Sequence, residues 1–245
     1  GWRTAMLAIA VAYVAIVVPA ALLIRPAPAS AAPAPASGAI QATPRSTAWA
    51  AVRTPQFVVL AITFFFCCGA HSGPIFHTVS YAMLCGATPL AAASIYSVEG
   101  LSGLFGRLLF GVLADRFDVR RVIVGGLALQ AVGIYLYIYV GQVPQFYIMA
   151  LVLGLAYGGV MPLYSVLARQ YFSQNVMGTV LGAVSITSFI GMALGPVGGG
   201  WLYDTFGTYH WLYIASASLG AVAALVALAF PPPQRNSTPL APQPT

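Results

Sequence analysis

Two side chains of opposite charge lie inside one long apolar segment of this chain. Glu99 and Arg107 both fall in the segment 89–113, and an ionisable residue near the centre of a bilayer costs about 2.5 to 3.5 kcal/mol on the insertion scale. In a helix, Tyr96 and Arg107 lie within about 80° of Glu99 on the same face. We interpret Glu99 as the carrier of a coupled proton, Arg107 as the group that attracts a substrate carboxylate, and Tyr96 as part of the same pathway.

The distance between the two charges leaves a second interpretation open. Arg107 follows Glu99 by eight residues, which is about 12 Å along a helix axis and too far for a direct ion pair. A ligand or water would have to bridge the gap. In the structural alternative, Arg107 reaches toward the charged loop at the end of its segment, and Glu99 only hydrogen-bonds a neighbouring helix.

Other polar side chains lie in apolar segments as further candidates for the pathway. His71 precedes Pro74, so it is either a proton or substrate contact or one side of an interhelical hydrogen bond. Tyr157 lies near the middle of its segment, where its hydroxyl needs a partner. Ser185 and Ser188 are polar enough to line a cavity and small enough to bond their own helix.

These residues lie in apolar segments of the sequence, here called windows, that are long enough to cross a membrane. The chain has 60% hydrophobic and 6% charged residues and a mean hydropathy of +0.87, which excludes a soluble domain. The composition predicts an all-α, polytopic helical bundle with seven membrane-spanning helices. Their predicted ranges are 4–24, 56–84, 89–113, 121–140, 145–168, 176–203 and 209–230.

The arginines predict the orientation of the bundle. All the basic charge comes from arginine, and after the first, third, fifth and seventh windows it falls on one side, with only Arg3 opposite. By the positive-inside rule the N-terminus lies outside and the C-terminus in the cytoplasm, in the plasma or inner membrane. The arginines on the cytoplasmic side are Arg25, Arg45, Arg53, Arg116, Arg120, Arg121, Arg169 and Arg235.

The loop between the third and fourth windows resembles a known signature. It reads Gly-x-x-x-Asp-Arg, followed by a basic pair, and is similar to the signature loop of the major facilitator superfamily of secondary transporters. Asp118 stands where the family usually has glycine. The resemblance implies that the loop takes part in conformational switching through Gly111, Asp115, Arg116, Arg120 and Arg121.

Glycine-rich stretches extend the resemblance toward the C-terminus. Gly178 and Gly182, and then Gly191 and Gly195, are spaced four apart, a spacing that lets helices pack backbone to backbone. Pro196 would loosen this helix near its end, and Pro74 would bend the second window, so we assign these prolines and Gly191 and Gly195 to helix packing and gating.

One narrower likeness points to a substrate class. The run Gly-Gly-Val-Met-Pro-Leu-Tyr at 158–164, together with an acid and an arginine in the third window, is similar to the monocarboxylate and oxalate:formate porter branch. The carboxylate-binding arginine of that branch lies in the same span, and the resemblance therefore favours Arg107 for that role.

The resemblance also implies a domain organisation. The chain opens at Gly1-Trp2-Arg3 without an initiator Met, and we interpret it as a fragment, namely the sixth span plus the second six-helix half of a twelve-span protein. Residues 1–24 form the single span, 25–55 a Pro- and Ala-rich cytoplasmic linker with a short interfacial helix at 48–55, 56–230 the bundle, and 231–245 a disordered cytoplasmic tail.

The predicted function is therefore transport. We expect proton-coupled or exchange transport of a small organic anion by alternating access. Its partners would be that small-molecule substrate, protons, the lipid bilayer and the absent N-terminal half, with no cofactor, no metal and no nucleic acid. The sequence contains no phosphate-binding loop or catalytic cluster, so an enzyme is disfavoured. The alternatives are a proton antiporter for multiple drugs or other hydrophobic cations, and an inactive fragment or non-transporting membrane protein.

Overall fold

The structure, a computed structural model, describes residues 2–23 and 44–232 and is helical throughout, with no strand in those ranges. Seven helices of this described part are long and apolar enough to cross a membrane. The predicted all-α bundle with seven spans is confirmed. The helices are α1 Trp2–Leu22, α2 Pro44–Val52, α3 Pro55–Leu84, α4 Pro89–Arg116, α5 Val119–Leu136, α6 Val143–Tyr171, α7 Met177–Phe206 and α8 His210–Ala227.

The chain divides into two compact units, Gly1–Gln41 and Ala42–Thr245. The described part of the first unit is α1, an apolar helix of 21 residues with Pro19 inside it. Most of the predicted linker and the predicted disordered tail, from residue 233 onward, lie outside the described residues. The short helix predicted at 48–55 corresponds to α2, which starts earlier and ends before Pro55.

Threonine–proline pairs start two of the spans. The Thr54 hydroxyl accepts a hydrogen bond from the Phe57 amide at 3.3 Å, and α3 begins at the next residue. Thr88 caps α4 in the same way, with the Ala91 amide at 3.2 Å. A threonine cap satisfies an amide that the helix leaves free, and proline fits the first helical position because it has no amide hydrogen to lose.

The signature loop is shorter than the sequence predicts, because α4 continues to Arg116 and α5 begins at Val119. Asp118 has φ of −60° and caps α5 by accepting from the Arg120 amide, so this turn does not need the usual glycine. A side chain at Gly111 would meet nothing within 4 Å in the described residues, so close helix packing within this part of the chain does not require glycine there.

Asp118 and Arg120 form the ion pair of this loop, with Arg120 Nη2 at 2.6 Å from Asp118 Oδ2. Hydrogen bonds from Arg120 hold the pKa of Asp118 below its usual value. Since the folded-state pKa is the lower one, the charged carboxylate stabilises the fold at neutral pH, and this contribution is lost as the pH falls through that pKa. Arg120 also donates to the Phe230 carbonyl at 3.4 Å, which joins α5 to the segment that follows α8.

Helix α3 packs closely against α7 through glycines. A side chain at Gly191 or Gly195 would overlap the α3 backbone around Phe65, Gly69 and Gly73. The Ser72 hydroxyl donates to the Gly191 carbonyl at 3.5 Å. In contrast, side chains at the other predicted glycine pair, Gly178 and Gly182, would meet nothing within 4 Å in the described part. Within the described residues, this pair therefore makes no close helix contact of the kind that its spacing predicts.

Helices α4 and α6 are held together by a second set of glycines. A side chain at Gly158 would overlap the backbone of Gly103, and one at Gly154 would overlap the Glu99 carbonyl. Backbone atoms cannot move aside as the end of a flexible side chain can. The close approach of α4 and α6 therefore requires glycine at these positions.

We expect Gly158→Ala to destabilise the bundle by about 1–3 kcal/mol, the usual cost of forcing a methyl group into a packed interior. The melting temperature of the detergent-solubilised protein should fall. Gly178→Ala is the matched control, because its methyl group enters open space, and its melting temperature should stay close to that of the wild type. Equal melting temperatures for the two variants would contradict this account of the contact.

Candidate functional site

A cavity of about 180 Å³ lies among α3, α4 and α6, near the middle of each helix. We call it the Glu99 cavity. It brings together five of the residues that the sequence analysis selected from three separate segments: His71, Tyr96, Glu99, Arg107 and Tyr157. The remaining lining residues are Ile75, Gly100, Gly103, Gly154 and Gly158.

Glu99 is buried beside an imidazole. The Nε2 atom of His71 lies 3.5 Å from Oε1 of Glu99, and the two side chains are only 3% and 4% exposed. Neither carboxylate oxygen has a hydrogen-bond partner among the described residues. A lone buried charge is costly, so such a pair is stable either with both groups neutral or as an ion pair. These two states hold the same number of protons and differ in whether the shared proton is on the carboxyl group or on the imidazole.

Tyr157 fixes the orientation of the imidazole. Its ring stacks on that of His71 with centroids 3.6 Å apart and planes within 8°. The Tyr157 hydroxyl lies 3.9 Å from the Cys68 sulfur of α3. The tyrosine therefore links α6 to α3 and turns the edge of the His71 ring toward Glu99.

Arg107 lines the same cavity. Its side chain is solvent-exposed, and no ion pair of the described residues includes it. It interacts electrostatically with Tyr157. An exposed guanidinium without an ion-pair partner in the described residues can bind an anion.

The two predicted serines lie elsewhere. Ser185 donates to the Leu181 carbonyl at 2.8 Å, and Ser188 donates to the Ser185 carbonyl at 2.8 Å. Both hydroxyls thus bond their own helix, which is one of the two possibilities that the sequence allowed. Neither serine lines the Glu99 cavity. On the same helix, the Pro196 carbonyl accepts a hydrogen bond from Nε2 of His77 on α3 at 3.1 Å.

One feature of the site escaped the sequence analysis. Gly154 and Gly158 on α6 line the cavity, and their spacing of four was a usable signal. Outside the site, the aromatic residues at the start of the last span differ in exposure, since Tyr213 is 0% exposed and Trp211 is 47% exposed.

The site places a buried acid–imidazole pair and an arginine in one cavity. It does not offer a metal centre, because the described residues contain no group of three or more His, Cys, Asp or Glu side chains that could hold an ion. An arginine presents planar, paired donors that match a carboxylate. The arrangement can therefore bind an anion and a proton at neighbouring positions.

Comparison with known proteins gives a family match over most of the chain. The sequence profile of the Major Facilitator Superfamily matches residues 85–245. Monocarboxylate transporter 12-B of Danio rerio is 31% identical over 164 residues, covering 63% of this chain and 33% of the relative. A multidrug resistance protein B homolog of Mycobacterium tuberculosis is 30% identical over 123 residues, covering 49% and 22%. The chain thus spans about a third or less of the length of these relatives.

Solved structures share the fold. The Escherichia coli fucose:proton symporter FucP superposes with a TM-score of 0.66 at 18% identity, covering 76% of this chain and 46% of that one. The transporter PepTSo, of the POT family, superposes with a TM-score of 0.64 at 20% identity, covering 73% and 39%. At these identities the likeness concerns the fold alone.

Proposed function

The chain belongs to the Major Facilitator Superfamily, and on that premise we propose that it forms part of a secondary active transporter for a small organic anion, coupled to protons or working by exchange. The observation that carries the proposal is the Glu99 cavity, in which a buried acid–imidazole pair and an arginine line one space. The two halves of the complete protein would alternate access to this cavity.

Arg107 is the proposed anion-binding group. Its guanidinium can donate two parallel hydrogen bonds to a carboxylate, which gives both affinity and orientation. The cavity volume of about 180 Å³ equals that of about six water molecules at roughly 30 Å³ each, so this half contacts a small substrate or one end of a larger one. The monocarboxylate transporter among the relatives supports the same substrate class.

The Glu99–His71 pair is the proposed proton-binding group. A carboxylate bound at Arg107 brings a negative charge into the cavity that Glu99 lines, and this charge favours the protonated form of Glu99. Coupling between two binding sites is reciprocal, so a proton on Glu99 equally favours binding of the anion. This electrostatic effect by itself makes the anion and the proton favour each other's binding, as in a symporter.

The test is transport by the full-length protein in proteoliposomes. Labelled monocarboxylates and dicarboxylates are supplied with and without an imposed proton gradient. We expect uptake of at least one carboxylate, and a gradient that is acidic on the side of entry should increase it. Absence of flux for every carboxylate, with the protein folded and inserted, would reject the proposal.

A second candidate is export of hydrophobic cations in exchange for protons. It is supported by the multidrug resistance homolog and by an efflux protein of Paecilomyces divaricatus that is 28% identical over 152 residues. In this case Glu99 would be the counter-ion of the drug, and Arg107 would be structural. Glu99→Gln would then remove drug resistance, whereas Arg107→Lys would be tolerated. If neither change alters any flux, the chain belongs to a non-transporting protein.

We also propose an orientation of the chain in the membrane and the segments that move during transport. The arginine-rich ends of the helices would face the cytoplasm across the plasma membrane, with the start of the chain outside. An N-terminal half would complete the cavity. The signature loop would act in switching, and α3 and α7 would bend near Pro74 and Pro196, where their helical hydrogen bonding is interrupted.

A further inference from the structure

A groove between α5 and α8 combines positive charge with apolar walls. At the start of α5 and the end of α8 it contains a cavity of about 430 Å³. Arg120 and Arg121 line this cavity, and the rest of its lining is apolar. We call it, with its continuation along the same two helices, the α5–α8 groove. The apolar lining residues at this end are Val124, Gly125, Ala227, Leu228 and Phe230.

The two arginines differ in how far their charge is already neutralised. Arg120 forms the ion pair with Asp118 at 2.6 Å and donates to the Phe230 carbonyl at 3.4 Å. Arg121 is exposed, and no ion pair of the described residues includes it. Its charge also acts on Asp118, which is the acidic group of this loop that Arg120 already pairs. The charged end of the groove is therefore positive overall, with a guanidinium whose planar donors match a phosphate.

The groove continues from Arg121 toward the middle of the bundle. Gly125 follows Arg121 by four residues and so lies on the same face of α5. A side chain at Gly125 would meet nothing within 4 Å in the described residues, so the glycine leaves open space next to the arginine. Farther along, a mostly apolar cavity of about 330 Å³ lies between the same two helices, lined by Ala131 and Val132 of α5 and Ala217 of α8, among others.

The length of the groove matches one leaflet of a bilayer. Ten residues separate Arg121 from Ala131, which is about 15 Å along a helix axis. The hydrocarbon core of a bilayer is about 30 Å thick, so one leaflet takes about half of that. A positive end followed by an apolar channel of this length has the dimensions of a phospholipid.

The groove lies on a side of the bundle that is available to lipid. The Glu99 cavity is lined by residues of α3, α4 and α6 only, so an N-terminal half that completes that cavity leaves α5 and α8 uncovered; this step rests on the proposed function. Large apolar side chains are exposed on both helices, with Val132 at 55% and Leu225 at 66%. In a membrane-spanning bundle such surfaces contact acyl chains.

We propose that the α5–α8 groove binds one anionic phospholipid, with its phosphate on Arg121 and an acyl chain along Gly125 toward Val132. Basic pockets between membrane-spanning helices on the cytoplasmic side bind anionic headgroups, and that leaflet is rich in them. The positive-inside rule places Arg121 on the same side. A zwitterionic lipid carries an ammonium that offsets its phosphate, so the positive end of the groove selects for net negative charge. The bound lipid would join the start of α5 to the end of α8.

The test is lipid binding by the purified full-length protein, measured by native mass spectrometry in detergent. The probes are phosphatidylglycerol and phosphatidylcholine with identical acyl chains. We expect phosphatidylglycerol to bind about fivefold more tightly, the effect of roughly one arginine at an anionic lipid. Equal binding of the two lipids would overturn the proposal. Soluble glycerol 3-phosphate should not displace the lipid, and displacement would assign the site to a free phosphate compound instead.

Three variants locate the binding site. Arg121→Gln should lower the affinity for phosphatidylglycerol about fivefold, to that for phosphatidylcholine. Arg169→Gln is the matched control, because Arg169 is exposed at the end of α6 and does not line the groove; its affinity should equal that of the wild type. Gly125→Leu changes no charge but fills the groove, and it should weaken binding of both lipids.

Each variant can contradict the proposal. Equal losses in Arg121→Gln and Arg169→Gln would show a general effect of surface charge, and unchanged binding in Gly125→Leu would place the acyl chain elsewhere. Melting temperatures check that the variants fold. If Gly125→Leu does not fold, the comparison of the two arginine variants still decides, because both arginines are exposed. Lipid binding is measured without transport, so absence of flux in a wild type that binds the lipid would refute the proposed function alone.

Discussion

Arg107→Ala abolishes carboxylate uptake, with an expected loss of about 100-fold or more in uptake at low substrate concentration. The expectation rests on the guanidinium, which lines the Glu99 cavity and has no ion-pair partner among the described residues. Arg107→Ala removes up to two charge-assisted hydrogen bonds to the carboxylate, each worth about 1.5–3 kcal/mol, and each 1.4 kcal/mol changes an equilibrium constant tenfold. Initial rates of labelled carboxylate uptake by the full-length protein in proteoliposomes measure the effect.

Two further arginine variants make this result specific. Arg107→Lys keeps the charge but loses the paired donors, so a partial loss is expected, mainly as a raised KM. Arg169→Ala removes the same charge from an exposed position at the end of α6 and should leave uptake near that of the wild type. If Arg169→Ala and Arg107→Ala lose uptake equally, the effect reflects membrane topology or overall charge, and the substrate-binding role is refuted.

Glu99→Gln is expected to abolish accumulation driven by a proton gradient while exchange of substrate persists. Glutamine has nearly the same size and can still face His71, but it cannot bind or release a proton near neutral pH. Wild-type uptake should rise as the pH falls on the side of entry, and uptake by the variant should be almost independent of pH. Parallel measurements of pH-dependent uptake and of exchange at equal substrate concentrations on both sides give the comparison.

Asp204→Asn is the matched control for Glu99→Gln. Asp204 is exposed near the end of α7 and does not line the Glu99 cavity. The same change from carboxylate to amide therefore takes place outside the proposed site. Its pH profile should match that of the wild type. A pH profile that is unchanged in Glu99→Gln would assign the coupled proton to a different residue. His71→Ala should shift the profile without flattening it, since the imidazole is the neighbour of Glu99 and not the proposed carrier.

Much of the fold could be predicted because a membrane permits few alternatives. A lipid-embedded backbone must satisfy its own hydrogen bonds, so an apolar run of sufficient length is a helix. Composition determines the exact ends of these helices less well than it determines their presence. Helix α6 was predicted at 145–168 and extends over Val143–Tyr171, because helices continue past the apolar core wherever a cap or a turn permits. The cap that Asp118 provides for α5 shows that a local hydrogen bond decides such an end.

The candidate site, too, could be predicted only in part from the sequence. Glu99, Tyr96 and Arg107 belong to one helix, so the helical repeat alone places them on one face. His71 and Tyr157 belong to different helices, and only the packing of α3 and α6 against α4 places them beside Glu99. The spacing of residues along the sequence does not show that side chains from these different helices lie beside one another.

The sequence by itself determined which segments cross the membrane, where their charges lie and which family they resemble. The tertiary structure decided which side of each helix faces protein. Hydropathy cannot make that distinction, because lipid tails and buried side chains are equally apolar. Tyr213 illustrates the consequence, since its aromatic neighbour Trp211 is exposed while Tyr213 itself is stacked in the interior. Close contact between glycine backbones, such as that of Gly158 with Gly103, fixes the rotation of each helix and so assembles the cavity.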